Sequence, residues 1–321
     1  MTNLPHSTDY RSRSLEDHRL GGACTQTPGQ RRLLSVVLIL TCCAALIPQP
    51  SWASPQASGP KFTDAAEYQL YKAAHDETNP KAQAAAYEDF LKQYPDSSAK
   101  VYALKALVAA YQKQGDMARA DDAASRLSQA AANDLNALGT VAVLKQQKAS
   151  QPKADAKTID DAVQFAEHGL QAVKSATKPA GMSDADFQKL KDKTNTTLES
   201  ILGSAAIKNK DYAAAQQHYQ NAVNLSPDDL QAVYALAKAY LEAPEPEYPK
   251  GLWYTARAAA LSTDPKGKAS YTQGGKDRYV KYHGNDQGWA EVLKQAAASP
   301  APPPDLNELI KPGAEAPKKG K

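Results

Sequence analysis

Along this chain apolar residues recur at three- and four-residue steps, the spacing of one face of a helix. Between Lys61 and Tyr94 two helices are predicted, over about 64–76 and 80–93, with Asn79 as cap of the second and Pro80 in its first turn. Leu104, Leu107 and Tyr111 mark a further helix that ends at a Gly115-Asp116 turn, after which Ala120, Ala124 and Leu127 carry its partner. Leu135, Leu138, Val141 and Leu144 recur at three-residue steps over 133–147. The polar insertion KASQPKAD then precedes a helix of about 158–175, and ATKPAGMSD makes a second break. Ser183 is placed to cap a helix that starts at Asp184. Later helices are predicted over 251–261, about 268–282 and 286–297, the last two forming a polar cap for the end of the array.

One stretch organises the rest. Thr196 to Asp229 places Leu202 and Gly203, then Ala215 and Tyr219, then Ala222 and Pro227 at the spacings of a 34-residue helix–turn–helix repeat, and so resembles a tetratricopeptide (TPR) unit. Glu199 stands where that pattern has Trp, and Ala206 where it has Tyr; both substitutions predict a thin contact with the preceding hairpin. Val233, Leu236, Ala237 and Tyr240 repeat the register 34 positions later, before the insertion APEPEYPK. Upstream, Phe90 to Asp116 carries an FL-x-x-YP-x-S signature and resembles the TPR variant of bacterial Tol–Pal-associated and outer-membrane-assembly proteins. These resemblances imply an all-α, right-handed superhelix of five to six helix–turn–helix units over 61–298.

The ends read differently. Residues 1–32 are polar and carry no periodicity, and are read as a disordered N-region. Arg31-Arg32, the apolar run Leu33 to Ile47, and small residues at Ser51 and Ala53 follow the order of a secretory signal peptide over 33–53, cleaved after Ala53. The 15-residue run is shorter than the ~20 residues that span a bilayer comfortably, which leaves an uncleaved inner-membrane anchor as the alternative. Both readings export the remainder to the periplasm. From Ser299 to Lys321 the chain is rich in Pro and Lys and is predicted to be a disordered tail.

Composition narrows the function. With 42% hydrophobic but only 7% aromatic residues, the core must be filled by closely packed Ala-rich helices. The net charge is +3, and five basic residues lie before residue 53, so the remainder is near neutral and no nucleic-acid partner is implied. Cys24, Cys42 and Cys43 all lie in the N-terminal segment, leaving the rest without thiol chemistry.

No catalytic constellation assembles from the residue types. His75, His168, His218 and His283 form no helical pair at three or four residues' spacing, so no metal and no cofactor is expected. His218 reads as a surface imidazole, and Gly274-Gly275-Lys276 as a turn or helix interruption. Asp160-Asp161 and Asp228-Asp229 read as negative charge at helix N-termini.

What remains is a surface. In the TPR resemblance the first helix of each unit lines a concave groove. Carried over residue by residue, the groove positions are Tyr102, Lys105 and Gln112, with Ala109 and Lys113 beside them; Thr197, Ser204 and Lys208, with Ser200 and Ile207; and Gln231, Tyr234 and Lys238, with Leu241 and Glu242. Lys105 fits one position of the carboxylate clamp of chaperone-binding TPRs, but Ala109 stands where the clamp needs Asn, so that partner class is not expected. The resemblance implies a non-catalytic protein-interaction module whose partners are envelope proteins, held as a peptide or extended segment. The rival reading is a structural tether or spacer anchored in the inner membrane by residues 33–47.

Overall fold

The computed structural model describes residues 59–313. The polar N-region, the signal peptide or anchor over 33–53, the three cysteines and the last residues of the tail lie outside the described residues. Among the described residues there are 13 helices and no strand, and no helix is long and apolar enough to cross a membrane.

Ten helices form five successive hairpins: α1 (Ala65–Asp76) with α2 (Pro80–Gln93), α3 (Lys100–Gln114) with α4 (Met117–Ala130), α5 (Leu135–Ala149) with α6 (Ala156–Ser175), α7 (Asp184–Lys208) with α8 (Tyr212–Leu225), and α9 (Leu230–Leu241) with α10 (Tyr248–Leu261). Side-chain caps fix most of the starts. Asn79 Oδ1 accepts the Lys81 and Ala82 N–H groups, and Ser183 Oγ accepts from Asp186 N–H. Asp116, Asp134, Asp155, Asp211 and Asp229 do the same for α4, α5, α6, α8 and α9. Helix α10 starts at Tyr248, inside the APEPEYPK insertion, because Pro249 suits its first turn.

The junction between the two helices of a unit is built the same way three times. The N–H of the B-helix cap reaches back to a carbonyl in the last turn of the A-helix: Asp116 to Tyr111 O at 3.0 Å, Asp211 to Ala206 O at 2.9 Å, and Glu247 to Tyr240 O at 3.0 Å. In the fifth unit, α9 with α10, the loop is longer, yet the same bond closes it. Gly115 (φ 74°) and Lys210 (φ 60°) occupy the left-handed position of the first two junctions, and Lys210 is the one non-glycine residue with positive φ among the described residues.

Burial divides along the chain as a stack of units requires, since each unit shares its apolar face only with its neighbours. One cluster runs from Ala74 to Leu144 and includes Tyr87, Phe90 and Leu107. A second joins α5, α6 and α7 through Leu138, Ala166, Leu198, Ile201 and Leu202. A third runs from Ala215 to Ile310 around Leu236, Trp253 and Tyr279. Small residues set the spacing. A Cβ on Gly203 would lie 2.9 Å from the Tyr219 ring, so the α7–α8 approach requires glycine there.

Four expectations are corrected. The contact of α7 with the hairpin before it is not thin, because fully buried Leu198 packs toward Gly169 of α6 and Leu138 of α5, while Glu199, in the Trp position, accepts from Asn221 and bonds His218 Nδ1 at 2.8 Å. Gly274-Gly275-Lys276 is no interruption: it lies inside the continuous helix α11 (Pro265–His283), where Gly275 lets the Trp289 ring close in. Asp228 does more than place charge near a helix end, since it pairs with the buried guanidinium of Arg257 at 2.6 Å. The final pair, α11 and α12 (Trp289–Ala298), is also not a hairpin like the others, because α12 packs chiefly on α10. Arg257 ties it there by donating to the Ala296 and Ala297 carbonyls at the C-terminal end of α12.

The segment after Ser299 is corrected in part as well. A short helix α13 (Leu306–Leu309) and Ile310 pack into the third cluster, Ile310 with no exposed surface. Lys311 O lies 2.9 Å from His283 Nδ1, and Gly313 N–H donates to Tyr282 O at 2.9 Å. Apolar residues at Leu306, Leu309 and Ile310 in an otherwise Pro-rich stretch are the physical reason: they cover the end of the core.

Candidate functional site

A cleft of about 890 Å³ opens over the first helices of the second, third and fourth units. Each helix presents two turns of one face to it, as side chains at i, i+3 or i+4, and i+7 must when they share a helix side. From α3 come Ser98, just before its start, then Val101, Tyr102 and Lys105. From α5 come Leu135, Asn136, Thr140 and Val143, with Gly139 between them. From α7 come Leu190, Lys193, Thr194 and Thr197, and the loop before α7 adds Pro179 and Ala180.

The lining is mixed in character. Tyr102 and Val143 are 44% and 50% exposed, which makes them two of the three large hydrophobic residues standing open to solvent among the described residues. Isolated exposed apolar side chains need no explanation, but two lining one cleft give it apolar wall on both α3 and α5. Around it lie two cations and one anion. Lys105 Nζ is 3.6 Å from Asp134 Oδ1 and 5.9 Å from the centre of the Tyr102 ring, so it is held from both sides. Asp134 Oδ1 also caps α5 by accepting from Ala137 N–H at 2.9 Å. Lys193 is exposed and has no carboxylate within salt-bridge distance among the described residues. Hydroxyls close the floor: Thr194 Oγ1 donates to Leu190 O at 2.8 Å and Thr197 Oγ1 to Lys193 O at 3.2 Å.

Of the residues carried over from the repeat, the structure brings Tyr102, Lys105 and Thr197 together in this cleft. The others are elsewhere and mostly engaged. Gln112 donates to Gln147 Oε1 at 3.0 Å across α3 and α5. Lys208 donates to the Gln151 carbonyl at 3.1 Å. Ser204 lies at the Tyr219 hydroxyl, whose pKa burial pushes up to about 12 while the Ser204 hydrogen bond opposes the rise. Tyr234 packs against Tyr271 with ring centres 4.7 Å apart and the rings tilted by 57°, Lys238 lies 3.7 Å from Glu242 at the end of its own helix, and Gln231 is exposed on α9.

The α5 positions and the first half of α7 went unread in the repeat. A signal for α5 was present: Leu135, Leu138, Val141 and Leu144 fix its core face, which leaves Asn136, Thr140 and Val143 on the open side. For Leu190 and Lys193 the signal was their spacing of seven and four residues from Thr197 on the helix that starts at Asp184, beyond the start of the repeat.

Among the described residues no group of three or more His, Cys, Asp or Glu side chains is placed to hold a metal ion. His218 is paired with Glu199 between α7 and α8, which is a more specific setting than a surface imidazole. His75 stacks on Tyr71, and His283 bonds the chain end. The cleft offers shape, hydrogen-bonding groups and charge.

No protein-family model matches the chain, and no curated protein matches it. A solved structure of a thermophilic TPR protein from Thermus thermophilus aligns with 65% of this chain and 94% of its own, at 18% identity and a TM-score of 0.39.

Proposed function

We propose that this chain is a non-catalytic protein-interaction scaffold of the bacterial cell envelope, exported through residues 33–53, that holds a peptide or extended segment of a partner protein in the cleft over α3, α5 and α7. The observation that carries the reading is the meeting of Tyr102, Lys105 and Thr197, from different repeat units, on one open surface with exposed Val143. Peptide grooves between helices work this way, with apolar contacts for affinity and a few polar groups for orientation. The envelope setting rests on the sequence: the Arg-Arg, apolar, small-residue order at the start and the FL-x-x-YP-x-S signature at Phe90.

The test is site-specific photo-crosslinking in intact cells, with the crosslinker placed in the cleft at Thr140 or Thr197 and on the opposite helix layer at Glu167. Crosslinked peptides sequenced from the cleft positions but not from Glu167 support the reading. Crosslinks from Glu167 alone move binding to the other face. The tether reading differs at the other end of the chain, where a mature N-terminus at Ser54 excludes an anchor formed by residues 33–47.

A further inference from the structure

We infer that the segment the cleft accepts is acidic, with a bulky apolar side chain seated against Tyr102 and Val143 and a carboxylate at Lys193, and that the stretch which breaks the repeat makes this choice. This inference rests on the groove reading above and adds to it the chemistry of the partner.

The argument starts from the origin of the walls. The α3 and α5 faces come from ordinary repeat helices, whereas Leu190 and Lys193 lie on the part of α7 that precedes the repeat. A regular unit would begin near Thr196 and leave this side open. The extra turns of α7 close it and bring in a cation.

Charge then sets the sign. Asp134 is already shared between the α5 cap and Lys105, so its charge is answered within the cleft. Lys193 is not answered, and the lining carries one net positive charge. An incoming carboxylate gains from Lys193 without having to displace an existing pair, while an incoming ammonium is repelled by Lys193 and finds Asp134 already paired. The chain's own last residues are an unsuitable occupant on the same ground, because beyond Gly313 they include Lys318, Lys319 and Lys321. Exposed Tyr102 and Val143 supply the apolar half of the contact, the part that gives affinity when water is removed from it.

The test uses the full-length chain in mild detergent, titrated with two fluorescein-labelled peptides, GSEFDELDSG and its charge-reversed counterpart GSKFKKLKSG, followed by anisotropy. The acidic peptide is expected to bind about tenfold tighter or more, with an advantage that shrinks as salt rises. Lys193→Glu should abolish that preference, and Tyr102→Ser with Val143→Ser should weaken the acidic peptide about tenfold, with helicity by circular dichroism unchanged in both variants. Equal affinity for the two peptides, both lost in the Tyr102/Val143 variant, overturns the acidic assignment and leaves the groove reading standing. An acidic preference that survives Lys193→Glu overturns the role given to the α7 extension. Binding of neither peptide, or a concentration-dependent dimer that shields the cleft, overturns this inference; absence of cleft crosslinks in cells then removes the groove reading too.

Discussion

The two units in strict 34-residue register, from Thr196 through α10, and the stretch that breaks the register before them, α6, the loop after it and the first half of α7, use the same kind of helix differently. In the regular units several of the carried-over positions are engaged within the molecule, Tyr234 against Tyr271 and Lys208 on the Gln151 carbonyl, while Gln231 is exposed and Thr197 alone reaches the cleft. Before them the faces of α3 and α5 stay open, and the loop at Pro179 and the added turns of α7 wall them into a cleft. The departure from the register is where the cleft gains its α7 wall. A stack of near-identical hairpins buries the same surfaces each time, so an insertion is what changes the shape of one face without touching the shared core.

The largest expected effect lies at the regular end. Ile310 is fully buried in the cluster that includes Leu236 and Trp253, so Ile310→Ala should cost about 2–5 kcal/mol, read from urea unfolding. Hydrogen exchange should locate that loss in α8 to α12 and leave α3 to α5 protected. Equal loss in α3 to α5 would mean that the cores are one cooperative body, and the contrast between the two regions would fail.

Alkaline stability gives the next effect. Desolvation on burial pushes Tyr219 and Tyr240 of the regular units, and Tyr87 near the N-terminal end of the stack, up to about 12. The folded chain therefore keeps these protons over a range in which the unfolded chain has released them. The contribution is complete below pH ~10, the ordinary tyrosine value, and is lost as pH rises through about 12. Tyr219→Phe should reduce the fall in stability between pH 10 and 12 by on the order of 2 kcal/mol, measured by denaturation at each pH.

Two glycines sharpen the comparison with opposite signs. A Cβ at Gly203 meets the Tyr219 ring at 2.9 Å, so overpacking outweighs the gain in helix propensity and Gly203→Ala should cost about 1 kcal/mol. At Gly139, on the cleft side of α5, the only atom within 4 Å is Thr194 Oγ1 at 3.7 Å. Gly139→Ala should therefore stabilise by up to about 1 kcal/mol, read as a rise in melting temperature. Destabilisation there would show that the cleft floor is packed more tightly than its open lining implies.

Much of the fold was legible in the sequence because its signals are local. Asn79 and Ser183 as caps, the three-residue steps from Leu135 to Leu144, and Gly203 with Tyr219 each announce a helix end, a buried face or a close approach within a few residues. The candidate site was legible only where it follows the repeat, at Tyr102, Lys105 and Thr197. Leu190 and Lys193 share the helix face of Thr197 at seven and four residues' distance, but they meet Tyr102 and Lys105 across more than eighty residues, through the way α7 packs on α5 and α6, and no local pattern carries that distance. The buried chain end was hidden for a different reason: three apolar residues, Leu306, Leu309 and Ile310, are too few to show periodicity inside a Pro-rich stretch.

The smallest effect concerns the junction that the α3–α4 and α7–α8 hairpins share. Gly115 and Lys210 occupy the same left-handed position, one residue before the Asp cap of the next helix, and both N–H groups donate at 3.0 Å, to Gln112 O and Ile207 O. The left-handed conformation costs a residue with a Cβ roughly 1–2 kcal/mol, a cost glycine avoids. Glycine in turn loses more backbone freedom on folding, roughly 0.5–1 kcal/mol relative to alanine. Lys210→Gly should then stabilise by under about 1 kcal/mol, and Gly115→Lys should destabilise by a similar amount, both measured as shifts in unfolding midpoint. A clear loss of stability in Lys210→Gly would mean that the lysine side chain contributes to the junction beyond its backbone, and that the two turns are alike in hydrogen bonding but not in what holds them.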